Sequence, residues 1–313
     1  MSKLDLVSVG ELLVDFTPLE QDGFQYNPGG GPANMVCMAA KLGMKTAFVG
    51  QVGADAFGKK LAAKLASEGV DVSALSFSEK YPTTLAFVHW AENGERSFSF
   101  YRHGGADTML EVSKEALELI QDASYLFMSS VMMAEGSSRE SCFQMMEYAK
   151  SKGVRIAFDP NLRRNLWDSE EAAKEQIVRA LPYADVVKVS EEELEFITGC
   201  QEPEQGMVRL LDEFPTIHLV LVTLGEKGTI VGHAGGQIAM PSYEVKAIDT
   251  TGAGDAFMGA FLSLLIRSGQ TPEQLRLEEA EQMVRFANGA GALTTTKRGG
   301  IDAQPSLEEI LAI

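Results

Sequence analysis

Short, nearly unbroken apolar runs alternate along this chain with longer stretches whose apolar positions recur every three or four residues, and that alternation leaves few architectures open. The runs at 4–9, 46–52, 125–129, 154–159, 186–190 and 218–223 are rich in Val, Ile and Leu, as expected of strands buried on both faces. The stretches at 33–42, 57–65, 139–149, 170–181 and 256–266 carry helical periodicity. Strands covered on both faces by intervening helices form a mostly parallel sheet in an α/β fold. At 313 residues, with 45% hydrophobic and 23% charged residues, the chain is long enough to bury a large core unaided and has the composition of a globular protein.

Charge narrows the functional classes. Acidic residues outnumber basic ones 44 to 27, a formal net charge of −17, so the average surface repels nucleic-acid backbones and anionic lipid. Neither nucleic acid nor membrane is expected as a partner. An anionic ligand would need a local positive site built from a few basic side chains, helix N-termini or a metal ion. Cys37, Cys142 and Cys200 are widely spaced and show no metal-ligand pattern, so they read as reduced core thiols. The first eleven residues, broken by Asp5 and Glu11, do not read as a signal peptide, and no apolar stretch reaches membrane-spanning length. A cytoplasmic location is the expectation.

One region breaks the α/β rhythm. Residues 83–102 form two strand-like arms around Asn93-Gly94, the pair favoured in type I′ hairpin turns. The second arm alternates, with Phe98 and Phe100 on one face and Ser97, Ser99 and Tyr101 on the other. Such a hairpin suggests a small sheet beside the main one, placed as a lid over strand C-termini, where open α/β sheets bind ligands.

Three glycine-rich segments could cradle an anion or a polyol. Gly53 to Lys60 nearly spells a phosphate-binding loop, but Lys60 stands where the Mg²⁺-binding hydroxyl belongs and Asp55 puts a carboxylate inside the cradle. It reads as an ordinary helix start. Gly29-Gly30-Gly31-Pro32-Ala33-Asn34 opens a helix with exposed backbone and an amide side chain, and Asp15 could accept sugar hydroxyl protons beside it. In Asp249-Thr250-Thr251-Gly252-Ala253-Gly254-Asp255, two glycines precede a long apolar helix, so unpaired N–H groups converge where an anion would sit. Asp255 is either a helix cap or part of a reaction. Facing those N–H groups, it is expected to have a low pKa.

Together the second and third segments resemble the signature stretches of the ribokinase-like (PfkB) carbohydrate kinases, and the resemblance runs over essentially the whole chain. It includes Phe158-Asp159-Pro160-Asn161-Leu162-Arg163, Val187-Lys188-Val189-Ser190-Glu191-Glu192-Glu193 and Val222-Thr223-Leu224-Gly225. In detail, Phe100-Tyr101-Arg102, Ala106-Asp107 and Leu166-Trp167 look most like bacterial fructokinases. The resemblance implies one kinase domain over 1–313, with a small β lid from about 11–29 and 83–105, and ATP-dependent phosphorylation of a sugar hydroxyl. It implies Asp255 as catalytic base, with Gly252, Ala253 and Gly254 as the anion hole. Sugar contacts would come from Asp15, Gly30, Gly31 and Asn34, joined by Tyr101, Arg102 and Arg163. The nucleotide and Mg²⁺ would be served by Lys188, Glu193, Thr223, Gly225, Gly228 and Asn288, with Ser190 replacing the family's Asn. Asp249 and Thr251 resemble a monovalent-cation site, K⁺ in this family.

Three functional readings stay open on residues alone. Overall spelling favours D-fructose, whereas two guanidinium groups, Arg102 and Arg163, suit the carboxylate of 2-keto-3-deoxygluconate. A sugar-binding regulator without catalysis is the third. A homodimer through the apolar lid hairpin is also expected.

Overall fold

A computed structural model describes residues 4–19, 23–90 and 96–313. In chain order the first half contains β1 (Leu4–Val9), β2 (Leu13–Pro18), β3 (Phe24–Gly29), α1 (Gly31–Lys41), β4 (Thr46–Gly53), α2 (Ala56–Ser67), β5 (Asp71–Ser78), β6 (Leu85–Trp90), β7 (Arg96–Tyr101), α3 (Lys114–Asp122) and β8 (Ala123–Ser129). There follow α4 (Ser138–Ser151), β9 (Arg155–Asp159), α5 (Glu170–Ala180), β10 (Val186–Ser190), α6 (Glu191–Thr198), α7 (Pro203–Glu213), β11 (Leu219–Thr223), β12 (Thr229–His233), β13 (Gly236–Met240), α8 (Ala253–Ser268), α9 (Leu277–Thr294) and α10 (Leu307–Leu311).

Nine strands form one sheet in the order β13-β12-β11-β10-β9-β8-β1-β4-β5. It is parallel from β5 to β11, and β12 and β13 add an antiparallel edge. Side chains alternate between two cores. Leu6, Phe127 and Leu221 pack with Met35 of α1 and Phe257 and Phe261 of α8. Val7, Leu126, Met128 and Val220 pack on the opposite face with Cys142 and Phe143 of α4 and Ile177 of α5. This is why the strand runs lack a polar alternation: neither face meets water. The α/β architecture read from the sequence is the one observed.

A second, four-stranded sheet has the order β3-β2-β6-β7, with β2 and β6 parallel and the other pairs antiparallel. The Asn93-Gly94 turn lies outside the described residues. Period-two alternation puts Asp15, Ala86 and Phe100 on one face, since Asp15 pairs with Ala86 and Ala86 with Phe100. The other face carries Phe16, Phe87 and Tyr101, an aromatic cluster in which Phe16 stacks on Phe87 at 5.0 Å and Phe87 meets Tyr101 edge-on at 5.5 Å.

Helix boundaries differ from expectation where turn chemistry acts. Helix α1 begins two residues early because Pro32 suits its first turn. Helix α5 stops at Ala180, and a 3-10 turn over Leu181–Tyr183 takes over at Pro182, which cannot donate to a continuing helix. The stretch from Gly53 to Lys60 is indeed a helix start: Asp55 caps α2, accepting from the N–H groups of Phe57 and Gly58 at 2.9 and 2.8 Å. Its other oxygen accepts from the Thr83 N–H at 2.9 Å, so the cap also anchors the approach to β6. Cys37 and Cys142 are buried and Cys200 is half-buried, all as free thiols.

Candidate active site

Parallel strands deliver their following residues to one edge of the sheet, and that edge holds the site. Glu11 follows β1, Ser129 ends β8, Asp159 ends β9, Lys188 and Ser190 close β10, and Thr223 ends β11. Two cavities of about 740 and 750 Å³ open there. Thr250 and Gly254 line both, so the turn that enters α8 is the partition between them.

The turn is built to leave its amides open. Gly252 is left-handed at φ 76° and no side chain caps the 16-residue α8, so N–H groups and the positive end of the helix dipole face the junction. A Cβ on Gly254 would come within 3.1 Å of Lys188 Nζ, so the ammonium lies directly against the turn. Lys188 Nζ in turn donates to Asp159 Oδ2 at 2.9 Å, in a pair whose side chains are 9% and 1% exposed. Burial opposes the Lys188 charge, but the Asp159 and Glu193 carboxylates outweigh it and hold the ammonium at about 12. Burial lifts the Asp159 carboxyl and Lys188 pulls it back.

The first cavity gathers Asp15, Gly30, Gly31, Asn34, Arg102, Arg163, Lys188, Glu193, Thr251, Gly252, Gly254 and Asp255. Asn34 Nδ2 donates to Asp255 Oδ2 at 2.9 Å, joining the early and late glycine segments across the molecule. Gly30 is at φ 119°, and a Cβ there would lie 2.3 Å from the Glu11 carbonyl oxygen. A Cβ on Gly31 would collide with Asn161 Nδ2 at 2.3 Å. The glycines therefore permit backbone and amide groups to close around the cavity. Phe100, from the small sheet, also lines it, whereas Tyr101 is 70% exposed on the opposite face. The structure thus places Tyr101 away from the expected sugar contacts and Phe100 among them, because successive strand residues point to opposite faces.

Two expectations change on burial. Asp255 is shifted up, not down: desolvation dominates, and the Asn34 hydrogen bond and the Lys188 and Arg163 charges offset only part of it. Arg102 is not a free cation. It is 3% exposed, donates from Nε to Asp107 Oδ2 at 2.7 Å and from Nη2 to the Val131 carbonyl at 3.1 Å. Arg163 is exposed at the cavity rim. Glu193 and Ser190 form a capping box on α6, and Glu193 accepts from Ser190 N at 2.8 Å and from Leu162 N at 2.7 Å. Lys188 and Glu193 line the first cavity, at the turn, not the second.

Thr223, Gly225, Gly228 and Asn288 line the second cavity with Ala253. Asn288 is locked, accepting from Thr229 Oγ1 at 2.7 Å and donating to the Pro241 carbonyl at 3.1 Å. Asp249 is buried, and its carboxylate accepts from Thr251 N at 2.9 Å and Gly299 N at 3.2 Å. It thereby ties the turn to the segment before the C-terminal helix.

Besides Phe100, sequence reasoning missed Asn161 and Glu11 in the first cavity. Asn161 is the one non-glycine residue at positive φ among the described residues, at 44°, and strain of this kind persists only where surroundings enforce it. Its N–H donates to Asp159 Oδ1 at 2.9 Å. Glu11 is 3% exposed and accepts from the Gly31 N–H at 2.9 Å. Burial pushes Glu11 up to about 7, and likewise Asp15, against the pull of Arg163.

These two carboxyls bind protons more tightly folded than unfolded, so their contribution to stability is present at low pH and is lost as pH rises toward 7. Glu273 and Glu279, held down to about 2, contribute fully throughout this interval and lose their contribution only as pH falls below the ordinary carboxylate range. Thermal unfolding should therefore give a higher Tm at pH 5.5 than at pH 7.5, and Glu11→Gln with Asp15→Asn should reduce the difference, the lifted Asp159 and Asp255 carboxyls keeping the remainder. A wild-type Tm that climbs over this interval would contradict the burial of these groups.

Comparison with known proteins agrees with this geometry. The family profile described as "pfkB family carbohydrate kinase" matches residues 3–307. Fructokinase-1 of Oryza sativa subsp. japonica is 42% identical over 316 residues, covering 98% of this chain and 97% of the relative. A double mutant of the fructokinase of Vibrio cholerae O395, solved with fructose, ADP and potassium ion bound, superposes with a TM-score of 0.89 at 37% identity and covers 100% and 99% of the two chains. The fructokinase of Xylella fastidiosa with bound ATP gives 0.88 at 31% identity, covering 98% and 97%. With the family profile and these relatives spanning nearly the full length, the chain belongs to the pfkB family of carbohydrate kinases and is an ATP-dependent sugar kinase.

Proposed function

We propose that this kinase phosphorylates D-fructose, with Asp255 as the base and the 252–254 turn as the anion hole. The observation that carries the reading is the meeting of two cavities at one uncapped helix start, with a buried carboxylate on one side and the second cavity on the other. The residues fit ATP and Mg²⁺: open amides and Lys188 suit a terminal phosphate, and Glu193 suits a metal-bound water. ATP with Mg²⁺ supplies the phosphoryl group and an electrophile. Thr223, Gly225, Gly228 and Asn288 would hold the nucleotide, and Asp249 with Thr251 a monovalent cation such as K⁺.

The chain's own work is positioning. Asp15 and the Gly30-Gly31 turn orient the sugar, and Asn34 fixes the Asp255 carboxylate. Asp255 aligns the reacting hydroxyl and takes its proton as bonding completes. Its upward shift makes it a better base than an aspartate held low by amides. The described residues of 11–29 and 83–105 act as the lid of this single domain, with Phe100 and Asp15 covering the sugar and excluding the water that would otherwise accept phosphate. Support for fructose over an acid sugar comes from the fructokinase relatives and from Arg102, whose charge Asp107 already neutralises.

A coupled ADP-release assay with fructose, 2-keto-3-deoxygluconate, ribose and adenosine, each with K⁺ or Na⁺, tests this. Fructose should exceed the others at least tenfold in kcat/KM, with K⁺ above Na⁺. A better rate with another sugar would overturn the substrate, and sugar binding without ADP from any of them would make the protein a regulator.

The aromatic outer face of the lid, where Phe24 and Tyr101 are 48% and 70% exposed, supports a homodimer through the two lids. Sedimentation of Tyr101→Asp should then give monomer. Three free thiols favour a reducing compartment, the cytoplasm. Among the described residues no helix is long and apolar enough to cross a membrane.

A further inference from the structure

Asn161 lines the first cavity with a backbone that its surroundings enforce and a side chain that they leave unused. Every backbone group around its left-handed φ of 44° is pinned. The Asn161 N–H donates to Asp159 Oδ1 at 2.9 Å. The carbonyl before it, that of Pro160, accepts from the Ser130 N–H at 3.3 Å and from the Ser130 hydroxyl. The N–H after it, that of Leu162, donates to Glu193 Oε1 at 2.7 Å. Anchors thus come from the end of β9, the residue after β8 and the first turn of α6. The side chain is different: in a residue only 8% exposed, its amide makes no hydrogen bond to any described residue and opens on the cavity. Buried amides are normally paired. A close approach fixes its direction, since a Cβ on Gly31 would meet Asn161 Nδ2 at 2.3 Å and Asp255 Oδ1 at 3.3 Å. The amide and the Asp255 carboxylate therefore border the same bare glycine.

We propose that Asn161 is a further sugar-binding residue of this kinase, whose side-chain amide receives a hydroxyl beside the one that Asp255 aligns. The inference rests on reading this cavity as the sugar site. Glycine is the default where the backbone turns left-handed, and a turn needed only for its shape would do best with it. Asparagine is among the few other residues that tolerate the conformation, and it brings an amide. Strain held so firmly, at a cavity wall, is the kind that serves a site. The amide also supplies what its neighbours lack. Asp15 and Asp255, when ionised, only accept, whereas a sugar hydroxyl both donates and accepts, and the amide matches it with a donor at Nδ2 and an acceptor at Oδ1.

Asn161→Gly keeps the left-handed backbone and deletes only the amide. The probe is whichever of fructose, 2-keto-3-deoxygluconate and ribose is the best substrate of the wild type, so a failure of fructose corrects the substrate and still leaves Asn161 tested. KM for that sugar, and its dissociation constant by calorimetry, should rise at least fivefold, while kcat stays within threefold and Tm does not fall. A rise of less than fivefold overturns the proposal, because a residue kept for the turn alone is replaced by glycine without loss. A larger loss in kcat than in sugar binding also overturns it, tracing the effect to Asp159 and Lys188. Should the variant melt below wild type, a crystal of the wild-type enzyme with the same sugar decides. The Asn161 amide should then lie within about 3.2 Å of a sugar oxygen. A sugar seated in the first cavity with the amide out of reach overturns the proposal alone, and a sugar lodged elsewhere overturns the functional reading with it.

Discussion

Asp255→Asn should lower kcat by about 10²–10⁴-fold, the range typical for loss of a general base, while the sugar dissociation constant changes by less than about threefold. The substitution isolates one property. Asparagine can still accept the Asn34 Nδ2 hydrogen bond, which is 2.9 Å long in the wild type, so the link between the two glycine segments is kept. It cannot take a proton. Because burial is what lifts the Asp255 carboxyl, replacing it with a neutral amide also removes a desolvation cost, and the variant should melt no lower than wild type at pH 8. An inactive enzyme that is fully folded and still binds sugar by calorimetry is the expected result. A variant within about tenfold of wild-type kcat would remove Asp255 from the chemistry, and one that loses sugar binding would make it a ligand and not a base. Asp255→Ala would be a poorer test, since it leaves the Asn34 amide buried without its acceptor.

Much of the architecture was legible because the large sheet announces itself. A strand such as Leu219–Thr223, buried on both faces, carries no polar residue before Thr223, where the chain reaches the site. Strands β12 and β13 were not legible, because β12 is only five residues long and broken by Gly232, and β13 begins on Gly236 and is largely exposed, so it keeps no continuous apolar signature. In the site, the glycine turns could be read from composition since only glycine tolerates what Gly30 and Gly252 do. Alternation along β7 separated Phe100 from Tyr101 correctly, yet nothing in a strand's own spelling says which face meets the cavity. Long-range effects were hidden for the same reason. The upward shift of Asp255 depends on how deeply the turn is buried, and the neutralisation of Arg102 by Asp107, only five residues away, depends on a loop conformation. Glu11 was passed over as a charge that broke an apolar run. Its value lies in a Gly31 N–H twenty positions later.

Lys188→Met should be the most damaging single change outside the reacting atoms, and a second substitution separates its two causes. Removing the ammonium leaves the Asp159 carboxylate, 1% exposed, without its partner. Breaking a buried pair from one side costs about 3–5 kcal/mol, a drop on the order of 10 °C in Tm for a chain of this size. Adding Asp159→Asn to Lys188→Met removes the stranded charge, and the amide can still accept from the Asn161 N–H that Asp159 Oδ1 now binds at 2.9 Å. Most of the lost stability should return, since replacing both members of a buried pair is often nearly neutral. Turnover should not return. With Lys188 Nζ packed against the Gly254 position, the ammonium is a fixed positive charge at the place where phosphate charge is carried, and loss of one such group costs about 10²–10³-fold in kcat. The double variant is therefore expected to melt near wild type and remain at least about a hundredfold slow. Recovery of both properties would assign Lys188 to the fold alone. Recovery of neither would mean that the strained Asn161 turn, held by Asp159, collapses without a carboxylate, and thermal unfolding of Asp159→Asn by itself would reveal that collapse directly.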